Sequence, residues 1–439
     1  MSETARDLLG FIDRSPTPYH AVAEACRRLE AAGFVPLEES AAWELSPGDR
    51  RLVVRGDGSL FAFELGSESP AEAGFRVIGA HTDSPNLRLK PRADGAAHGY
   101  RQLGVEPYGG VLLHTWLDRD LSLAGRVVLA RASGAPRALR IDFARPLLRV
   151  PSLAIHLQRE LATEGLKLNP QQHAVPVCGL EDAPPLAELL VAELRARGEG
   201  SFEARDVLAF DLMAYDVQPG CLGGARDEFV LAPRLDNLAS CHAAVSALAT
   251  VADAAAGLPS FTRAVVLHDH EEVGSRSFQG AGGPFLASAL ERCVAGFKGG
   301  TPQGAARALA RSFLVSADMA HGVHPNFADR HEPAHRPLLG RGPVLKLNAG
   351  QSYASDAIGA GLFTAVCRSV GVEPQHFVMR SDLACGSTIG PISAARAGIP
   401  TVDVGNPMLS MHSCREMAGT ADVAPMIEVL RAFLRGAGA

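Results

Sequence analysis

Residues 75–83 read Phe-Arg-Val-Ile-Gly-Ala-His-Thr-Asp. The run is short and apolar up to Ala80, so it predicts a buried strand that ends at His81. Two later apolar runs, 261–268 and 312–317, have the same form, and each is followed by carboxylate side chains. Because ligands of α/β proteins bind beyond the carboxyl ends of the strands, we expect a functional site where these runs end.

The pattern of elements separates two kinds of segment along the chain. After residue 225 strand and helix patterns alternate, which is typical of an α/β sheet protein. From about residue 90 to 225 the runs are β-like and separated by turn residues. We therefore expect one α/β domain formed by 1–89 and 226–439, with a β-rich domain inserted at 90–225.

Composition narrows the class of protein. The chain has 439 residues, of which 47% are hydrophobic and 21% charged, which is ordinary for a globular protein. The formal net charge of −6 argues against nucleic acid or an anionic membrane as the main partner. The longest uncharged run, 237–252, contains Asn, Ser, His and Thr and does not resemble a membrane span. With eight scattered cysteines and no C-x-x-C, we expect a cytoplasmic protein with reduced thiols.

Polar residues that follow predicted strands form a possible set of metal ligands. They are His81 with Asp83, Asp236, Glu271 with Glu272, Asp318 and His412. Imidazoles and carboxylates together suit Zn²⁺ or Mn²⁺. Taken singly, each of these residues is more often a helix cap or a solvated side chain, so the prediction depends on their joint placement.

Asp83 and the glutamate pair have separate expected roles. Asp83 could accept the second N–H of the His81 imidazole and so fix its tautomer. The carboxylates of Glu271 and Glu272 repel each other, so burying both is costly unless a cation lies beside them. One of the pair can bind metal while the other acts as a general base.

A second histidine cluster, His331-Glu332-Pro333-Ala334-His335, matches the H-E-x-x-H zinc motif only formally. That motif needs a continuous helix, which brings its two histidines to one face. Pro333 removes a backbone N–H and disfavours helix at Glu332. We therefore predict that this cluster is a loop and not a metal site.

Five segments, in this order, resemble the M18 metallopeptidases, which are the aspartyl aminopeptidases and their bacterial relatives. The segments are Gly79–Pro85, Pro233–Asn237, Glu271–Ser275, Ser316–His321 and Met411–Ser413. The resemblance covers nearly the whole chain, including Ala154–Arg159 in the insert. It implies a zinc-peptidase-like α/β catalytic domain whose mixed sheet is flanked by helices. It also implies that the insert is a dimerisation domain and that dimers assemble into a dodecamer.

The resemblance further implies a role for each site residue. His81, Asp236 and Asp318 would hold one Zn²⁺ ion, and Asp236, Glu272 and His412 would hold a second. Asp236 would thus bridge the two ions of each subunit, for which Mn²⁺ or Co²⁺ are possible substitutes. Glu271 would be the general base, with Asp83 assisting catalysis.

Lys346 and His156 are the expected substrate-binding residues. Lys346 lies in an apolar, strand-like run, where a lysine often points to solvent from an edge strand. However, the chain has only four lysines and 38 arginines, so a lysine retained there suggests a specific role. In the M18 family the matching lysine faces an acidic substrate side chain, and the histidine matching His156 comes from a partner subunit.

The resemblance thus predicts an aminopeptidase that removes N-terminal residues from peptides and prefers Asp or Glu. Two alternatives stay open. One is a different co-catalytic metal amide hydrolase, such as a deacylase or a carboxypeptidase. The other is a non-catalytic assembly or cargo protein derived from such an enzyme, although every metal and base position is intact.

Overall fold

The structure, a computed structural model, describes residues 2–131, 133–252, 257–297 and 303–438. Its contacts divide the chain into two units. The first unit comprises Met1–Asp83, Gly220–Met411 and Glu416–Ala439, and the second comprises Ser84–Pro219 and His412–Arg415. The sequence predicted an insert over 90–225. The main segment of the second unit, Ser84–Pro219, begins and ends six residues before those bounds.

The strands of the described residues are β1 (Val35–Pro36), β2 (Arg50–Arg55), β3 (Ser59–Glu64), β4 (Phe75–His81), β5 (Asn86–Ala97), β6 (Tyr100–Tyr108), β7 (Leu121–Leu129), β8 (Arg137–Asp142), β9 (Val177–Leu180), β10 (Val207–Asp216), β11 (Cys221–Gly223), β12 (Phe229–Ala232), β13 (Thr262–His268), β14 (Phe313–Ala317), β15 (Ala320–His321), β16 (Val344–Leu347), β17 (Gln375–Val378), β18 (Thr401–Gly405), β19 (Pro407–Leu409) and β20 (Glu416–Gly419).

The α-helices of the same residues are α1 (Ser2–Asp13), α2 (Pro18–Ala31), α3 (Pro70–Ala73), α4 (Leu161–Glu164), α5 (Pro170–His173), α6 (Leu186–Ala196), α7 (Leu235–Ala252), α8 (Phe285–Gly296), α9 (Gly304–Ala310), α10 (Ala357–Ser369), α11 (Ile389–Ala397) and α12 (Thr420–Leu434). In this part of the chain no helix is both long and apolar enough to cross a membrane.

The first unit is built on a mixed sheet in the order β1-β2-β3-β13-β4-β14-β18-β16-β17. Its four central strands, β13, β4, β14 and β18, run parallel, while β3 and β16 pair antiparallel to this group. A smaller sheet of the same unit has the order β11-β12-β20-β19-β15. Parallel central strands end at one edge of the sheet, so residues that follow them come together there.

Helices cover both faces of the central sheet, because its strands are apolar on both sides. Along β4, Phe75 and Val77 pack into a core with α8, while Ile78 and Ala80 pack into a second core with α7 and α12. This alternation follows from the two-residue period of a strand. The predicted α/β fold, with a mixed sheet flanked by helices, is confirmed.

The second unit contains an antiparallel sheet in the order β8-β7-β10-β5-β6-β9. Leucines on α6, among them Leu190 and Leu194, share its apolar core with Leu87, Leu121 and Leu212. The unit begins close to β5, which starts at Asn86 and pairs within this sheet from its first residue. This pairing explains why the boundary precedes the β-like runs that the sequence pattern detects.

Candidate metal centre

The carboxyl ends of the central strands carry the residues that the sequence predicted for a metal site. His81 is the last residue of β4, and Asp318 follows β14 directly. Glu271 and Glu272 lie in a 3₁₀ turn shortly after β13. Asp236 lies at the beginning of α7, where its backbone is not helical and its N–H donates to Glu416 Oε2 at 3.1 Å.

The His81 imidazole has a defined orientation. Its Nδ1 donates to the backbone carbonyl of Asp83 at 3.0 Å. A proton therefore lies on Nδ1, and Nε2 faces Asp236 Oδ1 at 3.4 Å and Asp318 Oδ1 at 3.6 Å. A histidine that donates through one nitrogen and presents the other to carboxylates is arranged as a metal ligand.

Asp83 acts on the site in a way that the sequence did not predict. Its carboxylate Oδ1 lies 3.5 Å from His81 Nδ1, farther than the carbonyl oxygen of the same residue. Instead, the carboxylate accepts the backbone N–H groups of Glu271 at 3.0 Å and Glu272 at 3.1 Å. Asp83 is fully buried and therefore ties the glutamate pair to the end of β4.

Burial and mutual repulsion perturb the acids of this cluster. Burial, together with the charges of Asp318, Glu272 and Asp83, raises the pKa of Glu271 to about 9 against the opposing effect of His81. Burial opposes the charged form of His81, but Asp236, Asp318 and Asp83 raise its pKa well above the usual value. Both shifts reflect an excess of buried negative charge, which a divalent cation would neutralise.

The donor set fits zinc. Potential ligand atoms, one from each residue, lie within 4.8 Å of one another in two groups. The groups are His81, Asp236 and Asp318, and His81, Glu271 and Glu272. Nitrogen and carboxylate oxygen are ordinary zinc donors. Among the described residues of the first unit, these two overlapping groups have the composition that a metal centre needs.

Lys346 is buried, not solvent-exposed, because its strand β16 lies between β18 and β17 in the sheet. Its side chain is 2% exposed, and Nζ donates to the carbonyl of Met319 at 3.2 Å. Nζ also lies 3.7 Å from Asp318 Oδ2 and 5.2 Å from the centre of the Tyr353 ring. Asp318 thus presents one oxygen towards His81 and the other towards Lys346.

Two predicted site residues belong to the second unit. His412 follows Met411, and its Nδ1 donates to the carbonyl of Gly110 at 3.1 Å within that unit. His156 lies in a short 3₁₀ turn, Ile155–Leu157, and is exposed. The apolar side chains on either side of His156 are exposed as well, Ile155 by 53% and Leu157 by 74%.

Histidines near the glutamate pair and in the His331–His335 cluster have local partners. His270 has a left-handed backbone, and its Nδ1 lies 2.8 Å from Ser277 Oγ. His331 Nε2 accepts the backbone N–H of His324, and His335 pairs with Glu332. Residues 331–335 form no helix, which agrees with the effect predicted for Pro333. The geometry of H-E-x-x-H is therefore absent here.

Sequence reasoning missed three buried residues that interact with the predicted site residues, namely Tyr353, Asp403 and Glu416. Tyr353 lies beneath the Lys346 ammonium, and Glu416 accepts the N–H of Asp236. All three are less than 5% exposed. Of the three, only Asp403 could have been found from the sequence. It is an acidic residue inside the apolar run 398–404, and a buried carboxylate in a strand needs partners.

Residues 11–434 match the profile of a family described as aminopeptidase I zinc metalloprotease (M18). The chain belongs to the M18 metallopeptidase family. A probable M18 family aminopeptidase 2 from Streptomyces coelicolor is 47% identical, covering 98% of this chain and 97% of its own. The M18 resemblance predicted from the sequence is confirmed.

Solved structures of M18 proteins have the same fold. A chain from the cryo-electron microscopy structure of the Ape4 and Nbr1 complex is 40% identical, with a TM-score of 0.95 over 99% of this chain and 86% of that one. The S. cerevisiae mApe1 dodecamer is 30% identical, with a TM-score of 0.86 over 99% of this chain and 97% of that one. As an M18 protein, the chain is a member of a family of zinc metalloproteases.

Proposed function

We propose that this M18 protein is a dinuclear zinc aminopeptidase that prefers peptides with an N-terminal Asp or Glu. The observation that carries the proposal is the buried set of an imidazole and carboxylates next to the buried ammonium of Lys346. His81, Asp236 and Asp318 would hold one ion, and Asp236, Glu272 and His412 the other. Zinc bound there would polarise a peptide carbonyl and lower the pKa of an attacking water.

The chain's own residues would perform the proton transfers. Glu271 would accept a proton from the attacking water and return it to the leaving amine. Neighbouring cations would lower the raised pKa of its carboxyl and keep it available as a base. Asp83 supports this role, since its carboxylate holds the backbone N–H groups of both glutamates.

The acidic preference would come from Lys346. A buried ammonium forms a strong charge-assisted contact with a substrate carboxylate. An uncharged N-terminal side chain would leave that ammonium without this partner, and removing one partner of a buried charge pair costs roughly 2–5 kcal/mol. A discrimination of about 30-fold or more between Asp and Leu would follow.

The test compares kcat/KM for peptides that differ only in an N-terminal Asp or Leu. We expect the wild-type protein to prefer Asp and Lys346→Met to lose most of that preference with its metal content unchanged. Equal cleavage of the two peptides by the wild type would refute the acidic preference, as would an intact preference in Lys346→Met.

An N-acetylated copy of the Asp peptide distinguishes the reaction types. An aminopeptidase requires the free α-amine and leaves this peptide intact, whereas a deacylase releases acetate and a carboxypeptidase releases the C-terminal residue. Complete inactivity on every free peptide would favour an assembly or cargo function instead.

His156 belongs to the proposed assembly. Its exposed turn is flanked by exposed apolar side chains, as in a surface that a second subunit covers. We propose that the second unit forms dimers and that His156 of one subunit enters the site of its partner. The dimers would then form a dodecamer, the state named for the S. cerevisiae mApe1 structure.

A further inference from the structure

Asp403 is a fully buried carboxylate that the reaction does not use directly. It lies on β18, between β14 and β16. On the β14 side it is the register partner of Ser316. On the β16 side Leu345 pairs with Val404, and continuing this antiparallel register by one residue places Lys346 opposite Asp403. Side chains opposite each other on neighbouring strands share a face of the sheet.

The Asp403 carboxylate holds two loops. Oδ2 accepts the backbone N–H of Ala354 at 2.6 Å, and Oδ1 accepts the Thr388 hydroxyl at 2.7 Å. The backbone N–H of Asp403 donates to Ser355 Oγ at 2.9 Å. At Gly390 an added Cβ would lie 2.2 Å from Oδ2, so the carboxylate packs directly against the start of α11.

The first of these loops carries Tyr353, which precedes Ala354. The Tyr353 ring is 4% exposed, contacts Phe377 edge-on at 6.3 Å and lies 5.2 Å from Lys346 Nζ. A cation over an aromatic ring is attracted by the ring's negative face. The position of the ammonium therefore depends on a ring whose backbone is attached to Asp403.

The charge of Asp403 also affects Lys346. Burial raises the pKa of Asp403, and the Lys346 ammonium opposes this shift more than any other group. Asp318 is the other carboxylate near Nζ, and its Oδ1 faces the metal ligands. Asp403 is thus a buried carboxylate that interacts with Lys346 and is not one of the proposed metal ligands.

We propose that Asp403 is a positioning residue for the acidic-substrate pocket, which fixes Tyr353 and Lys346 through its contacts to Ala354 and Thr388. The inference depends on the proposed preference for acidic N-termini. It assigns part of that preference to a side chain that contacts neither substrate nor metal.

The test measures kcat and KM for Asp and Leu peptides in Asp403→Asn. Asparagine keeps the shape, removes the charge and places an amide N–H₂ against one of the donors. We expect the Asp/Leu ratio of kcat/KM to fall about tenfold, mainly through KM for the Asp peptide. An equal loss for both peptides would indicate a purely structural role and overturn the proposal, as would an unchanged ratio.

Thr388→Val keeps the test decisive if Asp403→Asn folds poorly. Thr388→Val removes one donor, and we expect it to lower the ratio by about threefold. Its matched control is Thr364→Val, whose hydroxyl donates to the Ala360 carbonyl within α10 and which should leave the ratio unchanged. In a Lys346→Met background, Asp403→Asn should cause no additional loss of preference. An undiminished loss there would separate Asp403 from Lys346 and refute the proposal.

A crystal structure of Asp403→Asn separates this inference from the proposed function. If the wild type lacks an acidic preference, the proposed function is wrong, and the position of Tyr353 then decides the role of Asp403. We expect its ring to move away from Lys346 Nζ. A ring that keeps the wild-type distance of 5.2 Å would overturn the inference.

Discussion

Glu271 and Glu272 are adjacent in the chain, yet we expect their substitutions to have different effects. Glu271→Gln keeps the shape of the side chain and removes its ability to accept a proton. Activity should fall by at least about 100-fold with metal content near that of the wild type, as measured by peptide cleavage and metal analysis. Glu272→Gln, the matched variant, should instead lower metal occupancy. Activity of Glu271→Gln within a few-fold of the wild type would place the base elsewhere.

Residue types alone predicted part of this site. Strand ends marked His81 and Asp318, and adjacent carboxylates marked the glutamate pair. The sequence could not predict that the Asp83 carboxylate binds backbone groups 188 and 189 residues away. It also could not decide whether Lys346 is buried, because one apolar run of this length fits an edge strand and an interior strand equally well.

At the scale of elements, α2 is anchored by a buried carboxylate. Glu24 is 5% exposed and accepts hydrogen bonds from Arg14, Arg27 and Arg28. Burial opposes its ionisation, but these arginines together lower its pKa to about 2. Arg28 also binds Asp7 of α1, so the cluster joins the two N-terminal helices.

We expect Glu24→Gln to lower the free energy of unfolding at pH 7 by about 1–3 kcal/mol, since it removes hydrogen bonds to a charged group. The native pKa lies below the unfolded value of 4.5, so the stabilisation is present above pH 4.5 and is lost as the pH falls towards 2. Denaturant unfolding of wild type and variant should therefore converge at low pH. The exposed Glu30→Gln in the same helix serves as control. A pH-independent difference would contradict this account.

The bounds of several elements were predictable from hydrophobic pattern. The apolar run 261–268 contains β13, and the apolar run 312–317 contains β14. The small sheet β11-β12-β20-β19-β15 was not predicted. Its strands have two to four residues each, too few for a periodic signal, and their pairing joins segments nearly 200 residues apart.

At the scale of the whole molecule, removal of metal should affect both activity and stability. Chelation would leave several buried carboxylates without a cation, so we expect the melting temperature to fall together with activity. Added Zn²⁺ should restore both, as measured by calorimetry and peptide cleavage. His335→Ala should respond like the wild type, because residues 331–335 form no helix. Loss of metal binding in His335→Ala would contradict the assignment of ligands.

Mixed oligomers test whether His156 acts across subunits. Glu271→Gln lacks the base and His156→Ala lacks the histidine, so each variant alone should be nearly inactive. In randomly mixed dimers, about a quarter of the sites would combine an intact base with a partner's histidine. We therefore expect about a quarter of wild-type activity on co-expression, measured against the separate variants. No recovery would mean that the histidine acts within its own chain.

The place of the second unit in the chain also determines when the site can form during synthesis. β4, which ends at His81, lies between β13 and β14, and both of these strands follow the second unit in sequence. A ribosome needs roughly 10–40 s to proceed from β4 to the first residue of β13. Throughout that interval an apolar strand has both of its hydrogen-bonding edges unpaired. We therefore expect the nascent N-terminal segment to bind chaperones, since a chain that stops after residue 219 lacks both strands that flank β4.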